Sequence, residues 1–327
     1  MREQWVRVLA TGSSVPETVL TNFDLEKMVE TNDEWITTRT GIKERRIATS
    51  QETTATFALQ AAKEALCRAG VSPEEVDLII VATVTPDMLF PSTACLLQRD
   101  LKAKNACAFD LEAGCTGFVY ALAVAEKYLR GGGGRVALVV GAETLSKIVD
   151  WQDRSTCVLF GDGAGAVVLG LGEEPGILAT YLGSDGNGAS LLELPAGGSR
   201  FPASFETITQ RLHYIKMNGN EVFKFAVRVM EEASNEVIHR AGVNIDEVDT
   251  FIPHQANIRI IQSAAKRLGI TEEKIFVNVH KYGNTSSASV PIALDEAVQE
   301  GRVRKGDLVL LVGFGAGLTW GSALIRW

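Results

Sequence analysis

The sequence predicts an α/β fold made of two copies of one unit, and three observations carry that prediction. AGVSPEEVDLIIVATVTPD at residues 69 to 87 recurs as AGVNIDEVDTFIPHQANIR at 241 to 259, an offset of 172 (241 minus 69), and RVALVVGAET is matched by DLVLLVGFGAG at the same spacing (308 minus 136). Repetition at one fixed period marks a duplicated structural unit. VDLIIVAT, RVALVVGA and DLVLLVGF are unbroken runs rich in β-branched and aliphatic residues, as strands covered on both faces read. These runs alternate with helical segments, the order of α/β folds.

Taken in order, FALQAAKEALCRAG is an amphipathic helix and VDLIIVAT a central strand. GFVYALAVAEKYLR is apolar on nearly every side as far as Glu126, which places it inside the molecule with its N-terminus pointing inward. GGGG at 131 to 134 reverses the chain into the next strand. GDGAGAVVLG at 161 to 170 has phosphate-loop spacing but leads into a strand, so a hairpin turn is expected there. Residues 1–172 form the first half and 173–327 the second, which opens with a linker and surface excursion from Glu173 to about Asn220.

The chain has 327 residues, 46% hydrophobic and 22% charged, enough to bury a substantial core. No apolar run approaches the roughly 20 residues of a membrane span, and MREQWVRVLATG lacks the pattern of a signal peptide, so a cytoplasmic protein with no membrane partner is expected. Five cysteines without a CxxC pair suggest neither a disulfide framework nor a zinc site. A formal net charge of −8 argues against nonspecific nucleic-acid binding, while leaving room for a local basic face that docks an acidic partner.

Cys115 stands between a glycine and a threonine at the mouth of the interior helix, where unpaired N–H groups and the helix dipole favour a thiolate nucleophile. Cys67, Cys95, Cys107 and Cys157 read as small buried hydrophobes. A nucleophile needs a partner, and His254 directly follows the strand VDTFI, at the kind of strand end where α/β proteins place reacting groups. His280, in VNVHKYGN, is the competitor, whereas His213 and His239 read as solvated. Asn284 precedes a second helix with Pro291 in its first turn, and GFGAGLTWG at 313 to 321 closes the last strand with backbone N–H groups able to approach a carbonyl oxygen. In the helix after His254, Ile260, Ile261, Ala264, Ala265 and Leu268 make an apolar stripe, with Arg259 and Lys266 on the opposite face.

DLEAGCTGF, IPHQANIRI, YGNTSSASVPIALDEA and GFGAGLTWGSALIRW resemble the four motifs of the β-ketoacyl-acyl-carrier-protein synthase III family, the condensing enzymes that initiate fatty acid synthesis. The likeness runs from the opening strand to the final tryptophan. It implies a thiolase-like fold, two βαβαβαββ-type halves in five αβαβα layers, in a homodimer. By motif it implies a triad of Cys115, His254 and Asn284, with backbone oxyanion donors at Cys115 and Ala316. It further implies coenzyme A contacts at Thr31, Trp35, Arg39, Arg154, Phe223, Ala256, Asn257 and Ile260, carrier-protein docking at Arg259, Lys266 and Arg267, and an acyl-pocket role for Phe90 across the dimer. The implied substrates are a short acyl-CoA and malonyl-acyl carrier protein, with no metal or other cofactor. A cysteine hydrolase, a relative serving a specialised pathway and a carrier-binding scaffold are the other readings of the same residues, and primer choice depends on packing that the sequence does not reveal.

Overall fold

The computed structural model describes residues 4–327 and divides the predicted strands between two main sheets. The first holds β1 (Trp5–Ser14), β2 (Leu78–Ala82), β3 (Cys107–Leu111), β4 (Val136–Thr144) and β5 (Asp162–Gly172), in the order β1-β5-β4-β2-β3. The second holds β6 (Ile177–Ser184), β7 (Thr250–Pro253), β8 (Leu308–Gly315) and β9 (Thr319–Arg326), in the order β6-β9-β8-β7. The two orders match strand for strand. A lone parallel bridge between Phe251 and Ile275 stands where β2 pairs with β3 in the first sheet.

The main helices are α1 (Asp33–Thr40), α2 (Thr54–Ala69), α3 (Gly117–Arg130), α4 (Gly219–Ala241), α5 (Ile258–Leu268) and α6 (Ser289–Gln299). Side chains alternate across a strand, and that alternation sorts the layers. Leu78, Ile80 and Ala82 of β2 pack in one cluster with Phe118 and Leu122 of α3, Val290 and Leu294 of α6, and Val309 and Leu311 of β8. Ile79 and Val81, pointing the other way, pack with Phe57 and Ala61 of α2. On the far face of the second sheet, Leu310 and Val312 meet Met230 of α4 and Ala264 of α5. The result is five layers: α2, sheet, α3 with α6, sheet, α4 with α5.

Helix starts differ by layer. The outer helices α2, α4 and α5 begin at Thr53, Asn218 and Asn257, whose side chains accept an N–H of the first turn. Neither interior helix has a side-chain cap; α3 follows the turn Gly114–Thr116 and α6 the turn Ser286–Ala288, and the two turns pack on each other. The partly positive ends of both helices therefore converge on one region between the sheets.

Three local expectations are corrected. Residues 162–172 are strand β5 and not a hairpin turn. The segment after Glu173 is more than a linker, because β6 pairs with β9 and fills the place that β1 holds in the first sheet. Cys67, Cys95 and Cys107 are exposed and only Cys157 joins Cys115 in burial. Cys67 lies off the buried face of α2, and Cys107 opens the edge strand β3. Among the described residues, no helix is long and apolar enough to cross a membrane.

Candidate active site

Cys115 sits in the turn before α3 and lines a cavity of about 460 Å³ together with Gly114, Ser286, Ala316 and an apolar wall that includes Val84, Leu145, Phe160, Leu192 and Ile215. Glycine makes the approach of the last strand possible. A Cβ on Gly315 would lie 2.4 Å from the Cys115 nitrogen, and one on Gly114 would lie 2.7 Å from the Ala316 nitrogen. The backbones bearing the two predicted oxyanion donors therefore run side by side at the cavity wall. Burial pushes the Cys115 thiol up to about 12, against a hydrogen bond from Ser286, while the acids Glu143 and Glu112 push it further the same way. The expected depression by the helix end does not prevail, because desolvating an anion outweighs a partial charge. The resting group is the thiol.

His254 follows β7, where its N–H donates to the Val312 carbonyl at 2.8 Å. Its ring is packed edge-on against Phe314, the neighbour of Gly315, with centroids 5.2 Å apart. Nδ1 lies 2.6 Å from the hydroxyl of Ser289, the first residue of α6. The Gln255 N–H donates to that same hydroxyl oxygen at 3.4 Å, and with the hydroxyl hydrogen turned to Nδ1 the ring proton sits on Nε2. Burial lowers the imidazole to about 3, so it is a neutral N–H donor through the physiological range. His280, the competitor, is half-buried in the short helix Val279–Tyr282, and its carbonyl accepts from Lys43 N–H.

Asn284 is tied to the same place. Its Oδ1 accepts the Ser286 N–H at 2.8 Å, so the carboxamide oxygen is engaged and the NH₂ is the end left to donate. Ser286 thus bonds Asn284 through its backbone and lines the cavity together with Cys115. His254 and Asn284 are almost fully buried, at 1% and 8% exposed, and each is joined to the start of α6, His254 through Ser289 and Asn284 through Ser286, which lines the cavity with Cys115.

The remaining predicted positions range from exposed to buried and lie mostly around α1 and α5. Trp35 is flanked by the guanidinium groups of Arg39 and Arg154, each 5.1 Å from the ring centroid. Arg154 donates to the Glu30 carbonyl at 2.7 Å, and Asn257 joins α5 to this cluster by donating to the Arg39 carbonyl at 3.0 Å. The Thr31 hydroxyl is buried with no partner among the described residues. Ala256 and Phe223 are half-buried, whereas Ile260 belongs to the core beneath α5. The stripe of α5 is buried as its spacing predicted, and Arg259 and Lys266 are exposed. Arg259 covers the Phe223 ring at 5.7 Å, while Arg267 is paired with Glu231 at 2.9 Å, which leaves it less charge to offer a partner. Phe90 is 85% exposed beside exposed Leu89. His213 is bonded to the Thr207 hydroxyl at 2.9 Å and is not simply solvated.

Sequence reasoning missed Ser286, Ser289 and Glu143. The signals were present as a run of small hydroxyl residues after Asn284 and as one acid near the end of an otherwise mostly apolar strand.

A duplicated five-layer α/β fold that gathers a cysteine, a histidine and an asparagine around the inner ends of two interior helices is that of the thiolase-like acyltransferases. Comparison with known proteins makes the assignment particular. Residues 109–186 match the 3-oxoacyl-acyl-carrier-protein (ACP) synthase III family model, and residues 238–327 match the model of its C-terminal part. The β-ketoacyl-ACP synthase III of Caldanaerobacter subterraneus subsp. tengcongensis is 60% identical over 321 residues, 98% of this chain and 97% of that one. The crystal structure of the 3-oxoacyl-ACP synthase III of Aquifex aeolicus superposes with a TM-score of 0.91 at 55% identity, covering 98% of this chain and 100% of that one. A priming β-ketosynthase from a polyketide biosynthetic pathway superposes with a TM-score of 0.91 at 39% identity, covering 98% and 96%. The chain belongs to the 3-oxoacyl-ACP synthase III family and is a condensing acyltransferase.

Proposed function

We propose that this protein joins a short acyl-CoA to malonyl-acyl carrier protein in two half-reactions at Cys115. In the first, the sulfur attacks the acyl thioester and the N–H groups of Cys115 and Ala316 hold the oxyanion. Collapse expels coenzyme A, whose sulfur ends with the proton that the thiol gave up. In the second, Nε2–H of His254 and the NH₂ of Asn284 donate to the malonyl thioester oxygen. Their bonds strengthen as carbon dioxide leaves and charge moves onto that oxygen, which is the differential stabilisation a catalyst needs. The enolate carbon attacks the acyl-cysteine, forming the 3-oxoacyl carrier and freeing the sulfur, which is reprotonated. The chemistry so written calls for no metal or redox cofactor.

The observation that carries this reading is the pair of donor ends: Ser289 and Ser286 occupy Nδ1 of His254 and Oδ1 of Asn284, so both residues are set to donate. A hydrolase would instead need an imidazole free to accept a proton. Trp35 between Arg39 and Arg154 suits a nucleotide end of coenzyme A, with Thr31, Phe223, Ala256, Asn257 and Ile260 as its further contacts by family likeness. Arg259 and Lys266, with Arg267 contributing less, suit an acidic carrier protein. Exposed Phe90 suits burial against a second copy in a homodimer. Residues 1–172 and 173–327 are the two halves, and the cytoplasm is the expected compartment. The likeness to the polyketide priming synthase supports a second reading, in which the same condensation starts a specialised chain. Incubating the protein with a panel of acyl-CoA thioesters and malonyl-acyl carrier protein, and following 3-oxoacyl product and carbon dioxide together, tests the reaction; thioester cleavage without carbon–carbon bond formation refutes it.

A further inference from the structure

Arg45 lies in the short strand Glu44–Arg46, which pairs with Val19–Thr21, and its side chain is wholly enclosed. Its guanidinium donates to neutral oxygens: Nη1 to the Leu20 carbonyl at 3.1 Å and to Asn22 Oδ1 at 2.9 Å, and Nη2 to the Val158 carbonyl at 2.8 Å. Nε has no partner among the described residues. Burial lowers the guanidinium to about 10, so it stays a cation at neutral pH. A buried cation held by neutral groups alone costs the fold stability that an apolar side chain of similar volume would not. The two half-reactions above do not use it.

The partners of Arg45 join two parts of the site. On one side, Val158 opens the segment that holds the backbone of Asn284. The Asn284 N–H donates to the Leu159 carbonyl at 2.8 Å and the Gly161 N–H donates to the Asn284 carbonyl at 3.0 Å, so that Phe160 and Asn284 form an isolated parallel bridge. Both segments press on the stem of Arg45. A Cβ on Gly161 would lie 2.2 Å from the Tyr282 carbonyl oxygen and 3.1 Å from Arg45 Cβ. One on Gly283, at φ +64°, would lie 2.8 Å from the Leu159 carbonyl oxygen and 3.3 Å from Arg45 Cβ. On the other side, Asn22 carries the link to α1. Its Nδ2 donates to Oδ1 of Asp33, the first residue of that helix, and to the Ile42 carbonyl just past its end, both at 2.8 Å. Trp35 and Arg39 stand on the same helix.

We propose that Arg45 is a positioning residue for Asn284: its grip on the Val158 carbonyl fixes the segment against which the Asn284 backbone is aligned, and its bond to Asn22 seats that segment on the helix bearing Trp35. A planar fork with donors in fixed directions suits such a tie between separate stretches of chain. Arg45 touches no reacting atom and acts through residues 158–161. The inference rests on Asn284 being the donor to the malonyl thioester.

The test compares wild type, Arg45→Met and Arg45→Gln by acylation at saturating acyl-CoA, by carbon dioxide release from malonyl-acyl carrier protein by the acylated enzyme, and by hydrogen exchange read on peptides. Peptides covering 158–161 and 282–286 should exchange at least about tenfold faster in Arg45→Met, with those of α2 and β4 unchanged. Carbon dioxide release should fall at least about tenfold, because a displaced donor loses its bond in the transition state, while acylation of Cys115 stays within about threefold. Equal loss in both half-reactions is the mark of general damage and overturns the proposal. A folded Arg45→Met protein with wild-type exchange in those peptides, or with wild-type carbon dioxide release, overturns it as well. If thermal melting finds Arg45→Met unfolded, Arg45→Gln, whose shorter side chain stops short of the Val158 carbonyl, decides by the same readouts; if both are unfolded, Arg45 serves the fold alone and the proposal fails. A wild-type protein that is acylated but releases no carbon dioxide refutes the donor role of Asn284, and exchange alone then decides whether Arg45 holds its segment.

Discussion

The Ser289 hydroxyl lies 2.6 Å from Nδ1 of His254 and decides which nitrogen of the ring bears hydrogen. Ser289→Ala removes that decision without touching the reacting atoms. Carbon dioxide release from malonyl-acyl carrier protein by the acylated enzyme should fall at least about tenfold, because a wrong tautomer presents an acceptor where a donor is needed. An unchanged rate contradicts the donor role of Nε2.

Asn284→Ala separates the half-reactions. The NH₂ donor is lost only to the malonyl oxygen, so acylation from acyl-CoA should stay within a few-fold of wild type while decarboxylation drops by about 10²–10³. Equal losses in both steps, read by stopped-time mass spectrometry and carbon dioxide release, refute the assignment.

His254 and His280 are distinguished in the same way. His254 is buried beside Phe314 and bonded to Ser289, whereas His280 is half-buried in the short helix Val279–Tyr282. His254→Ala should lose the second half-reaction by about 10²–10⁴, with His280→Ala changing it little. The reverse ranking moves the imidazole role to His280.

The folded thiol also marks the stability curve. Cys115 is raised from an ordinary 9 to about 12, so the native chain keeps a proton that the unfolded chain releases in between. Its contribution is fully present below about pH 9 and is lost as pH rises toward 12. Denaturant midpoints of Cys115→Ala should therefore fall less steeply across that window than those of wild type; parallel curves contradict the buried thiol.

Local patterns made much of this legible. A fixed offset disclosed the duplication, unbroken apolar runs disclosed strands covered on both faces, and the spacing of Ile260, Ala264 and Leu268 disclosed the buried stripe of α5. Cys115 and His254 stood out because each sits where a polar segment meets an interior element. What stayed hidden depends on depth and on distant partners. Strand β6 has no long apolar run, because all but one of its residues are partly exposed. The sign of the Cys115 shift turns on complete enclosure, and Glu143 meets Ser287 only after 144 residues of chain fold back.

Intact-protein mass spectrometry after mixing with a short acyl-CoA tests the central claim most directly. The wild type should gain one acyl group on Cys115, lose it on adding malonyl-acyl carrier protein, and yield the 3-oxoacyl carrier, while Cys115→Ala gains none. An acyl adduct that persists in Cys115→Ala, or a product formed without any adduct, contradicts the account.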